Sequence, residues 1–384
     1  MSATTLNPGL ATLRRENVIR ATALLGLTLV VAVLVHSYNM FGYPLYLGDE
    51  GIYMSQAYAA LKMGRITPYT YWYDHAPAGW LLIALWSAIT GGFNSFGTAV
   101  DGGRVLMLLL HIFSVILLFR ITEWITANVF AATAAGLLYA LSPLTVIYGR
   151  MVLLDNIMVF WVLLATALFL LHKGKIWPLL FSALCFGIAV LTKEIAILFL
   201  PAFVYGLWTL VEKSHARFAR AVWLYAALAT ISLYPLYAAL RSELIALPLS
   251  SPLSGSGGPI SLVGTALWQI RRTGGTPWDP SSEFFQFLAT NWFVRDPWLL
   301  ALGTAATVWN LLRGGHQRRL IALLSIGAIL SIARGYPVLD FYIVTVLPFL
   351  ALNLGLAIVD LASLVRLQTL LPVTIAAAVA VGWY

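Results

Sequence analysis

Long apolar runs separated by short polar breaks fill most of the 384-residue chain. They lie at 20–37, 104–121, 128–147, 153–171, 176–191, 195–211, 219–240, 298–312, 319–333, 341–359 and 367–384. A helix that crosses a bilayer needs about 20 mostly apolar residues. The pattern therefore predicts an all-α polytopic membrane protein with about 11 transmembrane helices, several of them short. The fifth and sixth runs are interrupted only by Thr192, Lys193 and Glu194. Together they are too long for one crossing, so a hairpin is predicted. Two connections are long, 38–103 and 241–297. Within the first, 50–64 and 77–90 have helical periodicity with one apolar face, which predicts interfacial helices on the membrane surface. The second opens with a Gly/Ser/Pro stretch, 250–261, read as mobile. Trp268, Trp278, Trp292 and Trp298 follow and suit an interfacial belt.

Composition sharpens this reading. Hydrophobic residues make up 60% of the chain and charged residues 10%, against roughly 45–50% and about 25% in soluble domains. Mean hydropathy is +0.86. Soluble enzymes, disordered chains and disulfide scaffolds are excluded. The single cysteine, Cys185, allows no intramolecular disulfide. The polar segment 1–19 reads as a cytoplasmic tail ahead of an uncleaved anchor, and 20–384 as one transmembrane domain with its outer loops. With the N-terminus inside, the inner connections collect 13 of the 23 Lys and Arg and four of the 15 Asp and Glu. That bias follows the positive-inside rule. The net charge of +8 is thus assigned to one membrane face, not to a nucleic-acid partner. A multi-pass plasma (inner) membrane protein with its chemistry on the outer face is the expectation.

Chemistry-bearing residues gather in the outer connections. Gly48-Asp49-Glu50-Gly51 follows the first span. One of its carboxylates could take a proton from an incoming hydroxyl; the alternative is a helix cap. In Asp74-His75-Ala76-Pro77, the proline suits a helix start, and an imidazole there could face a phosphate. Arg150 and Asp155 enter the fourth span, where a carboxylate is costly unless paired or functional, and Arg150 is its candidate partner. Lys193, beside Glu194 at the fifth–sixth turn, suits an anionic ligand as a point charge, or a solvated turn. Arg334 could complete a cationic phosphate clamp. Tyr342 follows it, as a binding contact or as a belt aromatic. No phosphate-loop glycine motif, His-Glu-x-x-His site or dinucleotide fingerprint occurs.

Taken in order, Gly-Asp-Glu after the first span, the His-x-Pro segment, Arg150 to Asp155, and Leu191-Thr192-Lys193-Glu194 followed by Pro201 resemble GT-C class membrane glycosyltransferases. The likeness is closest to the bacterial branch related to aminoarabinose lipid A transferases and protein O-mannosyltransferases. It covers residues 20–215 well and 334–350 more loosely. It implies a GT-C fold that moves a sugar from a polyprenyl-phosphate carrier to a glycan, lipid or protein acceptor at the non-cytoplasmic face. It implies Asp49 as the catalytic carboxylate, with Glu50 beside it, and Asp155 as a second acidic position. His75 stands near where several relatives carry a lysine for the donor phosphate, and Lys193 matches the basic residue of the fifth–sixth turn. Many relatives carry more spans or a large outer C-terminal domain, which this sequence does not show.

Asp49 would orient or deprotonate the acceptor, and one inverting displacement would release the carrier phosphate toward Lys193, Arg334 and His75. A divalent cation between Asp49 and the phosphate is allowed but not required. The competing reading is a transporter or flippase of a lipid-linked substrate, which predicts midplane charges and repeated halves. A non-catalytic binder of lipid-linked sugars would carry the same residues.

Overall fold

The computed structural model describes residues 8–64, 73–212, 216–246, 260–333 and 337–365, with side chains from 16 to 361. Within them every regular element is helical. The chain runs through α1 (Pro8–Ser37), α2 (Gly48–Met63), α3 (Ala78–Ile89), α4 (Ala99–Thr126), α5 (Val129–Leu141), α6 (Pro143–Tyr148), α7 (Leu154–Leu170) and α8 (Ile176–Thr192). It continues through α9 (Leu200–Thr209), α10 (Ala216–Ile231), α11 (Leu233–Leu240), α12 (Leu262–Arg271), α13 (Glu283–Phe287) and α14 (Phe293–Arg295). Three longer helices close the described chain: α15 (Pro297–Arg313), α16 (His316–Ala333) and α17 (Leu347–Val365). Tight 3-10 turns lead into α9 (Glu194–Phe199) and α17 (Asp340–Thr345).

Local chemistry sets these boundaries. Thr98 and Asp101 form a reciprocal cap at the start of α4: the Thr98 hydroxyl accepts from Asp101 N at 3.2 Å, and Asp101 Oδ2 accepts from Thr98 N at 2.9 Å. Asn128 Oδ1 accepts from Phe130 N and Ala131 N and so starts α5. Ser142 and Pro143 end α5 and start α6, splitting the predicted run 128–147 in two.

The helices of ten predicted spans are present, and 50–64 and 77–90 correspond to α2 and α3. The expected span 367–384 and most of the 250–261 stretch lie outside the described residues. Among the described residues, four helical stretches are long and apolar enough to cross a membrane: Glu16–Ser37, Ala99–Thr126, Ala216–Leu240 and Asp340–Leu361. Val129–Leu141, Leu154–Leu170, Ile176–Thr192 and Glu194–Thr209 are apolar but shorter.

The hairpin α7–α8 forms the centre, with α4 and α10 against it and α5, α15 and α17 stacked beyond. Most of α7 is buried. By contrast, α1 and α10 turn Leu27, Val30, Leu34, Phe218, Tyr225 and Leu228 outward, as lipid-facing helices do. Small residues let backbones meet. A Cβ on Gly355 of α17 would lie 2.7 Å from Ala135 Cβ of α5. One on Gly187 of α8 would lie 2.5 Å from Thr230 Cβ of α10.

Candidate functional site

Two helix ends build the centre of the site. Asp155 lies in the first turn of α7 and Lys193 directly follows α8. Because the two helices form a hairpin, these ends meet. Lys193 Nζ donates to Asp155 Oδ1 at 2.9 Å and Oδ2 at 2.7 Å. Both side chains are almost fully buried. The same ammonium sits 4.3 Å from the centre of the Tyr342 ring, a cation–π contact. Tyr342 is placed by the 3-10 turn ahead of α17.

A second pair lies beside the first. His75 Nδ1 and Glu194 Oε2 are 3.1 Å apart, and Glu194 Oε1 accepts from Ala76 N. Tyr234 of α11 donates to the His75 carbonyl at 3.0 Å. Burial pushes the His75 imidazole down, but the Glu194 carboxylate more than offsets this and holds it above its ordinary value. Asp49, in the first turn of α2, is half-buried. Burial pushes its carboxyl up and the charge of Asp155 adds to this, while Lys193 and His75 pull it down. Asp49 thus lies within electrostatic reach of all three. Asp74 stands at the same place. Its Oδ1 is buried with no hydrogen-bond partner among the described residues, and burial raises its carboxyl.

The structure therefore brings together Asp49, His75, Asp155, Lys193, Glu194 and Tyr342. It corrects two expectations. Arg150 does not pair with Asp155. Its guanidinium turns to the backbone carbonyls of Val35 and Tyr43, binding the end of α1. Glu50 does not share the opening with Asp49. Successive helical residues project about 100° apart at 3.6 residues per turn, so Glu50 points into the bundle. It is wholly buried against Arg104, with Nη2–Oε2 at 2.9 Å. Glu50 is thus the buried partner of Arg104. Arg334 lies outside the described residues. Among the described residues no three His, Cys, Asp or Glu side chains converge as metal ligands, and Lys193 already holds both oxygens of Asp155.

Sequence reasoning missed Arg104. Its signal was one arginine opening the apolar run after Gly102 and Gly103. It also missed the tie between Tyr73 and Glu243, which fixes the connection after α11 to the one before α3. Glu243 is further held by Arg241 at 3.0 Å.

The helical architecture is shared with known structures. The crystal structure of ArnT from Cupriavidus metallidurans bound to undecaprenyl phosphate superposes with a TM-score of 0.63 at 17% identity, covering 93% of this chain and 63% of that one. The chain has the GT-C fold. The oligosaccharyltransferase AglB from Archaeoglobus fulgidus, in complex with an inhibitory peptide and a dolichol-phosphate, shares the GT-C helices with a TM-score of 0.57 at 13% identity. That superposition covers 95% of this chain and 56% of AglB. The chain therefore spans under two thirds of the length of either GT-C protein. Residues 74–240 match the model of the dolichyl-phosphate-mannose-protein mannosyltransferase family. The matched stretch holds His75, Asp155, Lys193 and Glu194 and leaves out Asp49. No curated protein sequence matches the chain.

Proposed function

We propose that this protein is a membrane glycosyltransferase that moves a sugar from a polyprenyl-phosphate carrier to an acceptor at the non-cytoplasmic face. The observation that carries the reading is the meeting of Asp49, Asp155–Lys193 and His75–Glu194 at one end of the α7–α8 hairpin. The GT-C fold and the carriers bound by two proteins of that fold support it.

The chemistry follows from the charges. The acceptor is a hydroxyl on a glycan, lipid or protein. Asp49 accepts its proton as the acceptor oxygen bonds to the anomeric carbon. The bond from that carbon to the carrier phosphate breaks, and the phosphate takes the electron pair. One displacement on the opposite face inverts the anomeric centre. Lys193 and the protonated His75 then meet the charge on the leaving phosphate. Such prearranged charge is usually the largest single catalytic contribution. Asp155 holds Lys193 in place until the phosphate arrives. Arg334 is proposed as an additional phosphate contact and Tyr342 as the wall behind Lys193. The transfer is proposed without a metal step. The basic connections support an N-terminus inside and a site outside, and the carrier tail would run between lipid-facing helices.

The test is native mass spectrometry of Asp49→Asn, gently extracted, followed by transfer assays on the unaltered protein with a labelled polyprenyl-phosphate sugar. A co-purified polyprenyl-phosphate sugar, together with transfer by the unaltered protein, is expected. Only unrelated lipids, with no polyprenyl phosphate retained even after its addition, would overturn the reading and favour transport of another lipid.

A further inference from the structure

We infer that Glu50 and Arg104 form a positioning device that sets Asp49 against Asp155. This rests on the reading of Asp49 as the base and of Asp155 as the carboxylate that holds Lys193. Glu50 Oε1 accepts from Arg104 Nε at 3.0 Å and from Val152 N at 2.9 Å. Glu50 Oε2 accepts from Arg104 Nη2 at 2.9 Å and from Leu47 N at 2.9 Å. One carboxylate therefore grips two separate stretches of backbone. Leu47 caps α2, two residues before Asp49. Val152 leads into α7, three residues before Asp155. The two acids are distant in sequence, and this side chain bonds directly to the backbone beside each.

Arg104 completes the grip. Its Nη1 donates to the carbonyls of Met40 at 2.8 Å and Pro44 at 2.9 Å. Its guanidinium also lies 4.7 Å from the centre of the Tyr46 ring. The chain entering α2 is thus held to α4, and the chain entering α7 is held to α2. Glu50 and Arg104 are both fully buried. For stability alone, a buried ion pair is commonly no better than well-packed apolar residues. What apolar residues cannot do is accept from Leu47 N and Val152 N at once. The pair thereby makes the Asp49–Asp155 separation a fixed quantity, as an inverting displacement requires.

The test uses the full chain in detergent or lipid. Glu50→Gln keeps the shape and one acceptor oxygen but loses Oε2 as an acceptor. The double variant Glu50→Met with Arg104→Leu removes the grip and leaves no unpaired charge. Both are read by hydrogen exchange and by transfer kinetics. Faster exchange confined to the amides of residues 45–52 and 150–156 is expected, with the melting temperature held in the double variant. A fall in kcat on the order of a hundredfold, with donor KM unchanged, is the expected kinetic result. Unchanged exchange in both segments, or unchanged kcat, overturns the inference. So does exchange that rises throughout the bundle in both variants, because the pair would then merely hold the fold. Local exchange in a protein that transfers no sugar even when unaltered would support the tie and overturn the glycosyltransferase reading instead.

Discussion

Lys193 spends its charge on Asp155 in the resting protein, gripping both carboxylate oxygens at 2.9 and 2.7 Å across the α7–α8 hairpin. An arriving phosphate therefore competes with an internal anion. Asp155→Ala would leave a buried ammonium without its counter-charge, a loss of about 3–5 kcal/mol when one partner of a buried pair is removed. The expected outcome is a lower melting temperature that inorganic phosphate or polyprenyl phosphate restores. The unaltered protein should gain much less from the same anions. Equal gains in both proteins would show that the Lys193 site does not take phosphate.

Asp49→Asn keeps size and polarity and removes the base. Transfer is expected to fall by about a hundredfold to ten-thousandfold, the usual span for a positioned proton acceptor. Donor affinity should change little, because Asp49 would act on the acceptor side. Single-turnover transfer with bound donor measures the first, and donor titration by native mass spectrometry the second. Full transfer by the variant would remove Asp49 from the mechanism.

The sequence carried the location of the site better than its pairings. Asp155 near the start of the run 153–171, Lys193 just past 176–191 and His75 just ahead of 77–90 were legible as residues near helix ends, since charge in the apolar stretch is costly. Which cation meets Asp155 was not legible. Arg150 is five residues away and Lys193 thirty-eight, and only the hairpin closure brings the second one in. The adjacent acids Asp49 and Glu50 were equally ambiguous, because a dipeptide does not show which residue faces the bundle. Arg104 resolves that choice, and it lies fifty-four residues downstream. The breaks within spans depended on local caps: Ser142 and Pro143 divide a run whose apolar content is unbroken.

Gly103 offers an independent way to disturb the same region. A Cβ there would fall 2.6 Å from Val152 Cγ2 and 2.8 Å from Met54 Sδ, so α4 cannot keep its distance from both α2 and the Val152 segment. Gly103→Ala should cost about 1–3 kcal/mol, as overpacking does, and should lower kcat by shifting Val152. A melting curve and a kcat measurement check this. No change in either would mean that the segment relaxes freely and is not a rigid part of the site.

The pH dependence of transfer ties Asp49 and His75 together. Asp49 must be ionised to accept a proton, and burial places its titration above the ordinary 3.8. Activity therefore climbs through an acid limb as pH rises. His75 must be protonated to meet the phosphate, and Glu194 holds its titration above the ordinary 6.5 despite burial. Activity is lost on an alkaline limb as pH rises through that value, and kcat/KM is bell-shaped. The linkage has the same sign for folding: the His75–Glu194 contribution is fully present below the ordinary histidine value and is lost as pH rises through the elevated one. Glu194→Gln removes the offset, leaving burial and Lys193 to push the imidazole down. The alkaline limb is then expected to move toward acid while the acid limb stays in place. Profiles of kcat/KM for both proteins measure this directly. An alkaline limb that does not move would show that His75 is not the group whose proton the reaction needs.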